Sequence, residues 1–461
     1  MKGHVKTALF IAAGLLLMFI SLGGFAQAQD SQDSELESLK GALKQMQNTI
    51  NQLNTRIEEL ERTKAAAPPP PTAPAAIVVA PTVPPEEAKN RPRLDIYGFS
   101  QLDTIYDANT VDPSWAATLR PSKIPVICPG DPGCGKDGNT TVSVRQSKFG
   151  VKGFIPTELG EMKTVFEFDL FGVGSNAGQT TFRIRHVYGE LGQVLAGQTN
   201  SLFMDGDVFP NVVDYWGPVG MIFVRNPQLR WTPYLEDGMK IAVALEAPSA
   251  AIDSGKVNTE IDPTLNVQPW TKYPDLTAQF RLDRPWGHAQ LAGILRWIGY
   301  QAQPTATIPG LSGDKAGWGF NLTSGINTWG KDQLLMQVAY GDGIASYVND
   351  GGVDLAPNGS LHAEAVPLLG WLAYYDHYWS EKFSSSIGYS ETHQYNSDGQ
   401  LATAFKSGQY FSTNLLFYPV KTVMFGVEYM WGHREDNDGL GGNDNRIQFS
   451  AKYSWDFKLH L

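Results

Sequence analysis

Residues 445–461 read NRIQFSAKYSWDFKLHL. Ile447, Phe449, Ala451, Tyr453, Trp455, Phe457, Leu459 and Leu461 share one parity; Gln448, Ser450, Lys452, Ser454, Asp456 and Lys458 share the other. A repeat of two is the period of an extended strand, whose side chains point alternately to opposite faces. The same pattern recurs upstream. Val423, Phe425, Val427, Tyr429 and Trp431 alternate with Thr422, Met424, Gly426, Glu428 and Met430, and Leu291, Leu295 and Trp297 oppose Gln290 and Arg296. A soluble sandwich also alternates. Here, segment after segment, one face is aromatic-rich and the other polar. Lipid outside and water inside demand that arrangement, and a closed barrel pairs every backbone group between strands.

Turn signals set the count. Candidate strands begin near 94, 140, 161, 181, 194, 227, 239, 275, 288, 316, 333, 363, 383, 404, 421 and 445. Short turns fall at 155–160, 235–238, 284–287, 327–332, 380–382 and 418–421. Long polar loops fall at 108–139, 172–180, 201–226, 249–274, 301–315, 345–362, 396–403 and 435–444. Eight long loops alternating with short turns make sixteen strands. The expected fold is all-β, a 16-stranded antiparallel transmembrane β-barrel over 94–461, preceded by a short N-terminal α-helical coiled coil. Aromatics near strand ends, such as Tyr97, Phe99, Trp379 and Tyr418, suit the girdles of such barrels.

Composition agrees. The 461 residues are 42% hydrophobic, 11% aromatic and 18% charged, too aromatic and too little charged for a disordered chain. A mean hydropathy of −0.23 disfavours a bundle of membrane helices.

Residues 1–28 read as a secretory signal. Lys2, His4 and Lys6 precede an apolar run, and Ala26-Gln27-Ala28 offers a small-x-small cleavage site; an uncleaved anchor is the alternative. Removing it takes two lysines and no acid from a chain of net charge −11, a balance that excludes a nucleic-acid partner. Residues 34–62 carry heptads: Leu36, Leu43, Ile50 and Ile57 at a, Leu39, Met46, Leu53 and Leu60 at d. They predict an oligomerising coiled coil placed in the periplasm, or else one amphipathic helix packed on the body. The Ala/Pro-rich stretch 63–93 reads as a semi-rigid linker.

Cys128 and Cys134 sit in CPGDPGC and, in an oxidising compartment, predict a loop-tip disulfide. A zinc site is the alternative, but no His lies near, so no metal is expected. No catalytic constellation emerges. GxSxG is absent, and no two of the eight His have the i, i+4 spacing of a zinc helix. A Ser, His and acid gathered from different strands stays open. The expectation is a non-enzyme without cofactor.

A set of arginines stands out on the polar parity: Arg145, Arg183, Arg185, Arg230, Arg281 and Arg296, with Arg225 at the end of a loop. Facing lipid near the midplane each would cost about 2–4 kcal/mol, so they are assigned to the lumen. Scattered pairing with Glu167, Asp169 and Asp283 is the bland alternative. Rings of Arg select anions, and guanidinium can hold a carboxylate with two bonds. The loop SLFMDGDVFPNVVDYWGPVGMIFVRN (201–226) is too apolar for water and should fold inward. Its Asp205, Asp207 and Asp214 would then oppose the arginines across a constriction.

Three segments carry a family resemblance: RPRLDIYGFSQLDTIYD (91–107), SVRQSKFGVKG (143–153) and RIRHVYGELGQVLAGQTNSLFMDGDVFPNVVDYWGPVGMIFVRNPQLRWTP (183–233). They resemble the DcaP-like porins of Gram-negative outer membranes, as does the order of signal, coiled coil, Pro-rich spacer and barrel. The resemblance implies a trimer in outer-membrane lipid, passing small anionic solutes, especially dicarboxylates, through an Arg-lined eyelet. It carries onto Arg183, Arg185, Arg225 and Arg230, and onto Arg145 in its own motif; Arg281 and Arg296 rest on parity. One departure is the C-terminal Leu461, where many membrane barrels end in Phe. The competing reading is a structural or adhesive outer-membrane barrel tethered through its coiled coil to periplasmic partners.

Overall fold

The computed structural model describes residues 91–305 and 310–460, together with Lys44 and Thr55, which are helical. The chain divides into two compact units, 1–82 and 83–461. The signal, the heptads apart from Lys44 and Thr55, and nearly all of the linker lie outside the described residues.

The described chain first forms β1 (Arg93–Asp107), β2 (Asn139–Ser143), β3 (Lys148–Thr157), β4 (Gly160–Phe171), β5 (Thr180–Leu191), β6 (Val194–Asn200), β7 (Arg225–Glu236) and β8 (Met239–Glu246). There follow β9 (Val267–Pro269), β10 (Asp275–Arg284), β11 (Gly287–Ala302), β12 (Leu311–Asn327), β13 (Gln333–Asp342), β14 (Leu355–Pro357) and β15 (Ala363–Ala365). The last are β16 (Pro367–His377), β17 (Phe383–Gln394), β18 (Phe405–Val420), β19 (Val423–Asp436) and β20 (Gly441–His460). Two pieces, β2 and β3, make one wall strand, because both pair with β1. A spur on β11 is formed by β9, and β14 and β15 form a separate hairpin. Sixteen wall strands remain. They are antiparallel throughout, and β1 closes the ring on β20 from Arg93↔His460 to Asp107↔Arg446. Closure leaves no open sheet edge to lipid.

The C-terminal strand, β20, shows the inverted arrangement of the molecule. Phe449, Tyr453 and Phe457 are more than half exposed, whereas Asp444, Arg446 and Gln448 are fully buried. Trp455 lies against Gly98 of β1, where a Cβ would run into its ring and into the Lys148 carbonyl. Apolar side chains face out and polar ones face in, as the alternation requires.

The predicted strand starts fall close to the observed ones, with informative exceptions. The strand expected near 363 begins at Pro367, because Ala363–Ala365 belongs to the loop hairpin. The loops expected at 301–315 and 435–444 shrink, since β11–β12 and β19–β20 pair beyond them. Above the lipid nothing enforces apolar alternation, so polar sequence there continues as strand.

Candidate functional site

Loop 201–224, between β6 and β7, turns inward and lines the barrel's interior wall. Phe203, Val208, Val219, Met221 and Ile222 are fully buried. Such a loop has no sheet ladder, so its buried backbone groups must find other partners. The lumenal side chains supply them. Asn321 donates to the Phe203 carbonyl (2.8 Å) and Gln290 to that of Met204 (3.2 Å). Gln337 donates to Gly220 O (3.0 Å) and accepts from Ile222 N (3.2 Å). Further round, Thr392 donates to Val219 O (2.9 Å), and Glu428 accepts from Val213 N (2.5 Å). Gln146 and Gln448 both donate to the Val213 carbonyl, at 2.9 and 3.0 Å. Gly220 lies flat on the wall, where a Cβ would strike the Glu391 carbonyl and the Trp371 amide.

The arginines have different fates. Arg183 grips Asp169 with two bonds (3.2 and 2.8 Å). Arg185 bonds Glu167 and Asp169, each at 2.8 Å, and the Tyr215 hydroxyl donates to Asp169 at 2.5 Å. Two guanidiniums and two carboxylates therefore cancel. Arg145 is buried, stacked 4.0 Å over the Phe171 ring, with one bond to the Gly172 carbonyl. Arg281 meets Asp205 (3.1 Å), Asp207 (2.7 Å) and Asp283 (2.9 Å). Arg296 was expected to line the passage; instead its side chain is 1% exposed and clamped by Asp275 and Asp354, each at 3.0 Å, so it offers no face to a solute. Asp205 and Asp207 touch Arg281 directly and do not face it across a gap. Asp214 does neither: it accepts from Thr118 Oγ1 (2.8 Å), Leu119 N (3.2 Å) and Gly217 N (3.1 Å), and so anchors loops.

Besides Arg145, two of the set have no carboxylate within ion-pair distance among the described residues. Arg225 stacks 4.9 Å from the Phe223 ring, and its Nε has no partner. Arg230 bonds only the Asn200 carbonyl (2.6 Å) and Gln228. Three lysines also face the lumen. Lys148 reaches Glu167 at 3.5 Å, while Lys240 and Lys452 form no ion pair among the described residues. Strand parity could have found Lys452, which follows Gln448 and Ser450 on the polar face of β20. Cys128 and Cys134 are joined as a disulfide within the loop between β1 and β2, away from these groups.

The cations gather around cavities. One of about 380 Å³ is lined by Lys148, Arg185, Arg225, Lys452, Glu167 and Tyr215. A second, about 190 Å³, shares Tyr215, Phe223 and Arg225 with it. A third, about 420 Å³, shares Asn200, Met204 and Gly206 with the first. Three voids thus adjoin along the inward loop.

A closed barrel, apolar outside, polar inside and narrowed by its own loop, is an outer-membrane channel of the porin type. A sequence profile described as DcaP outer membrane protein matches residues 81–324, more than half of the chain, and the chain belongs to that family. Among solved structures, the outer membrane channel DcaP of Acinetobacter baumannii is similar at 22% identity and a TM-score of 0.68, covering 80% of this chain and 98% of that one. An anion-selective porin from Comamonas acidovorans is similar at 9% identity and a TM-score of 0.49, covering 79% of this chain and 100% of that one. OmpT of Vibrio cholerae is similar at 11% identity and a TM-score of 0.47, covering 79% and 98%. No curated protein sequence matches.

Proposed function

We propose that the protein is a passive diffusion porin for small hydrophilic solutes, with a preference for anions such as dicarboxylates. One observation carries this reading: Arg225 and Lys452, neither held by a carboxylate among the described residues, line the same cavity. A cation already paired has little field left for a solute, whereas an unpaired one in a low-dielectric passage attracts anions strongly. Arg183 and Arg185, two of the residues onto which the family resemblance carries, support the route differently. They neutralise Asp169 and Glu167, which would otherwise repel an anion. The proposal extends to a trimer whose heptads at 34–62 associate in the periplasm.

Reversal potentials across a salt gradient in planar bilayers test it. The wild-type channel should favour chloride over potassium, and Arg225→Ala with Lys452→Ala should lower that ratio roughly tenfold, about 1.4 kcal/mol. An unchanged ratio overturns the anion reading, and a barrel that passes no current overturns the porin.

A further inference from the structure

The third cavity differs from the first in its charge. It lies towards the short-turn end, under the start of the inward loop, on the wall of β7, β8 and β10. At about 420 Å³ it has the size of a small-ligand site. On β7 and β8, Arg230 and Lys240 present positive charge without an ion-pair partner among the described residues. Lys240 sits directly across the β8–β10 ladder from Arg281. Like charges so placed repel, and the repulsion is relieved because Arg281 is surrounded by three aspartates. Asp205 is consumed there, bonded also to His288 (2.9 Å) and Thr323 (2.5 Å). Asp207 and Asp283 also hold Arg281, Asp283 with both oxygens (3.0 and 3.2 Å), but their side chains stay 66% and 51% exposed, and three carboxylates on one guanidinium leave negative charge over. Beside them Asn200 keeps a buried side-chain oxygen without a partner. The cavity therefore carries free positive charge on β7 and β8, and surplus negative charge where Asp207 and Asp283 face it.

We propose that this cavity is a second station of the channel, one that holds zwitterions. A solute with a carboxylate and an ammonium a few atoms apart, such as an ω-amino acid or a short peptide, places the first on Arg230 and Lys240 and the second on Asp207 and Asp283. A dicarboxylate gains only half of these contacts and meets the aspartates with its other end. The station rests on the channel reading, but it predicts a solute class that an anion filter alone disfavours.

Three four-carbon probes separate the alternatives: succinate, 4-aminobutyrate and 1,4-diaminobutane. Each is added to the full-length protein in planar bilayers, and transient blocks of the chloride current give an apparent affinity. The wild type should hold 4-aminobutyrate more tightly than 1,4-diaminobutane. Asp207→Asn with Asp283→Asn should weaken 4-aminobutyrate about tenfold while strengthening succinate, as expected when carboxylate repulsion is removed. Lys240→Gln, a change at a side chain without ion pairs, should weaken both. The station is overturned if the double Asn variant leaves 4-aminobutyrate unchanged, or if it weakens both probes in parallel. A channel with no current overturns the porin reading itself, a result distinct from either.

Discussion

Arg296 on β11 and Arg225 at the start of β7 are both arginines on the inside of the same barrel, and they do opposite things. Arg296 bonds Asp275, Asp354 and the carbonyls of Gly343 and Ser249, so it ties the loop after β13 and the loop after β8 to the wall. Arg225 has a ring beneath it and no acid beside it. A guanidinium in a lumen is therefore a strut or a filter according to its neighbours. Parity tells only that it faces inward.

The largest effect should come from removing what narrows the space around Arg225. Deleting 203–220 takes away the loop that lines the first and third cavities, so single-channel conductance should rise severalfold and selectivity should weaken. Unchanged conductance would mean that the passage runs elsewhere. Next comes the strut. Arg296→Ala leaves two buried carboxylates without a counterion, a loss of about 3–5 kcal/mol. Thermal unfolding followed by circular dichroism in detergent should show a clear drop in Tm; the Arg225→Ala variant, with no buried pair to break, should unfold near the wild type. The smallest effect concerns the cancelled pair. Arg183→Ala alone removes one of the two guanidiniums on Asp169 and should shift the reversal potential towards cations. Arg183→Ala with Asp169→Asn removes both charges together and should shift it much less. Equal shifts in the two variants would show that Arg183 acts on solutes directly.

Much of this was readable beforehand. The alternation in β20 and β19 is a local consequence of lipid on one side and water on the other, so sixteen strands and their order followed from parity and turns. The inward loop was readable too, because Phe203, Phe209, Tyr215, Trp216, Met221 and Phe223 could not all lie in water. Less legible were places where two distant residues decide between them what each one does. Arg281 is quenched by Asp205 and Asp207, which lie more than seventy residues away in the chain. Asp214 turned from a supposed pore acid into a loop anchor through Thr118 and Tyr410, which no spacing announces. Lys452 is legible by parity, since it follows Gln448 and Ser450 on the polar face of β20.

By itself, then, the sequence determined the barrel, the face on which each charged residue lies and the loop that must turn in, because solvent acts on each residue separately. Only the tertiary structure decided which inward charges remain free. Neutralisation is a property of pairs a few ångströms apart, and in an antiparallel barrel those pairs come from strands and loops that are neighbours in space alone.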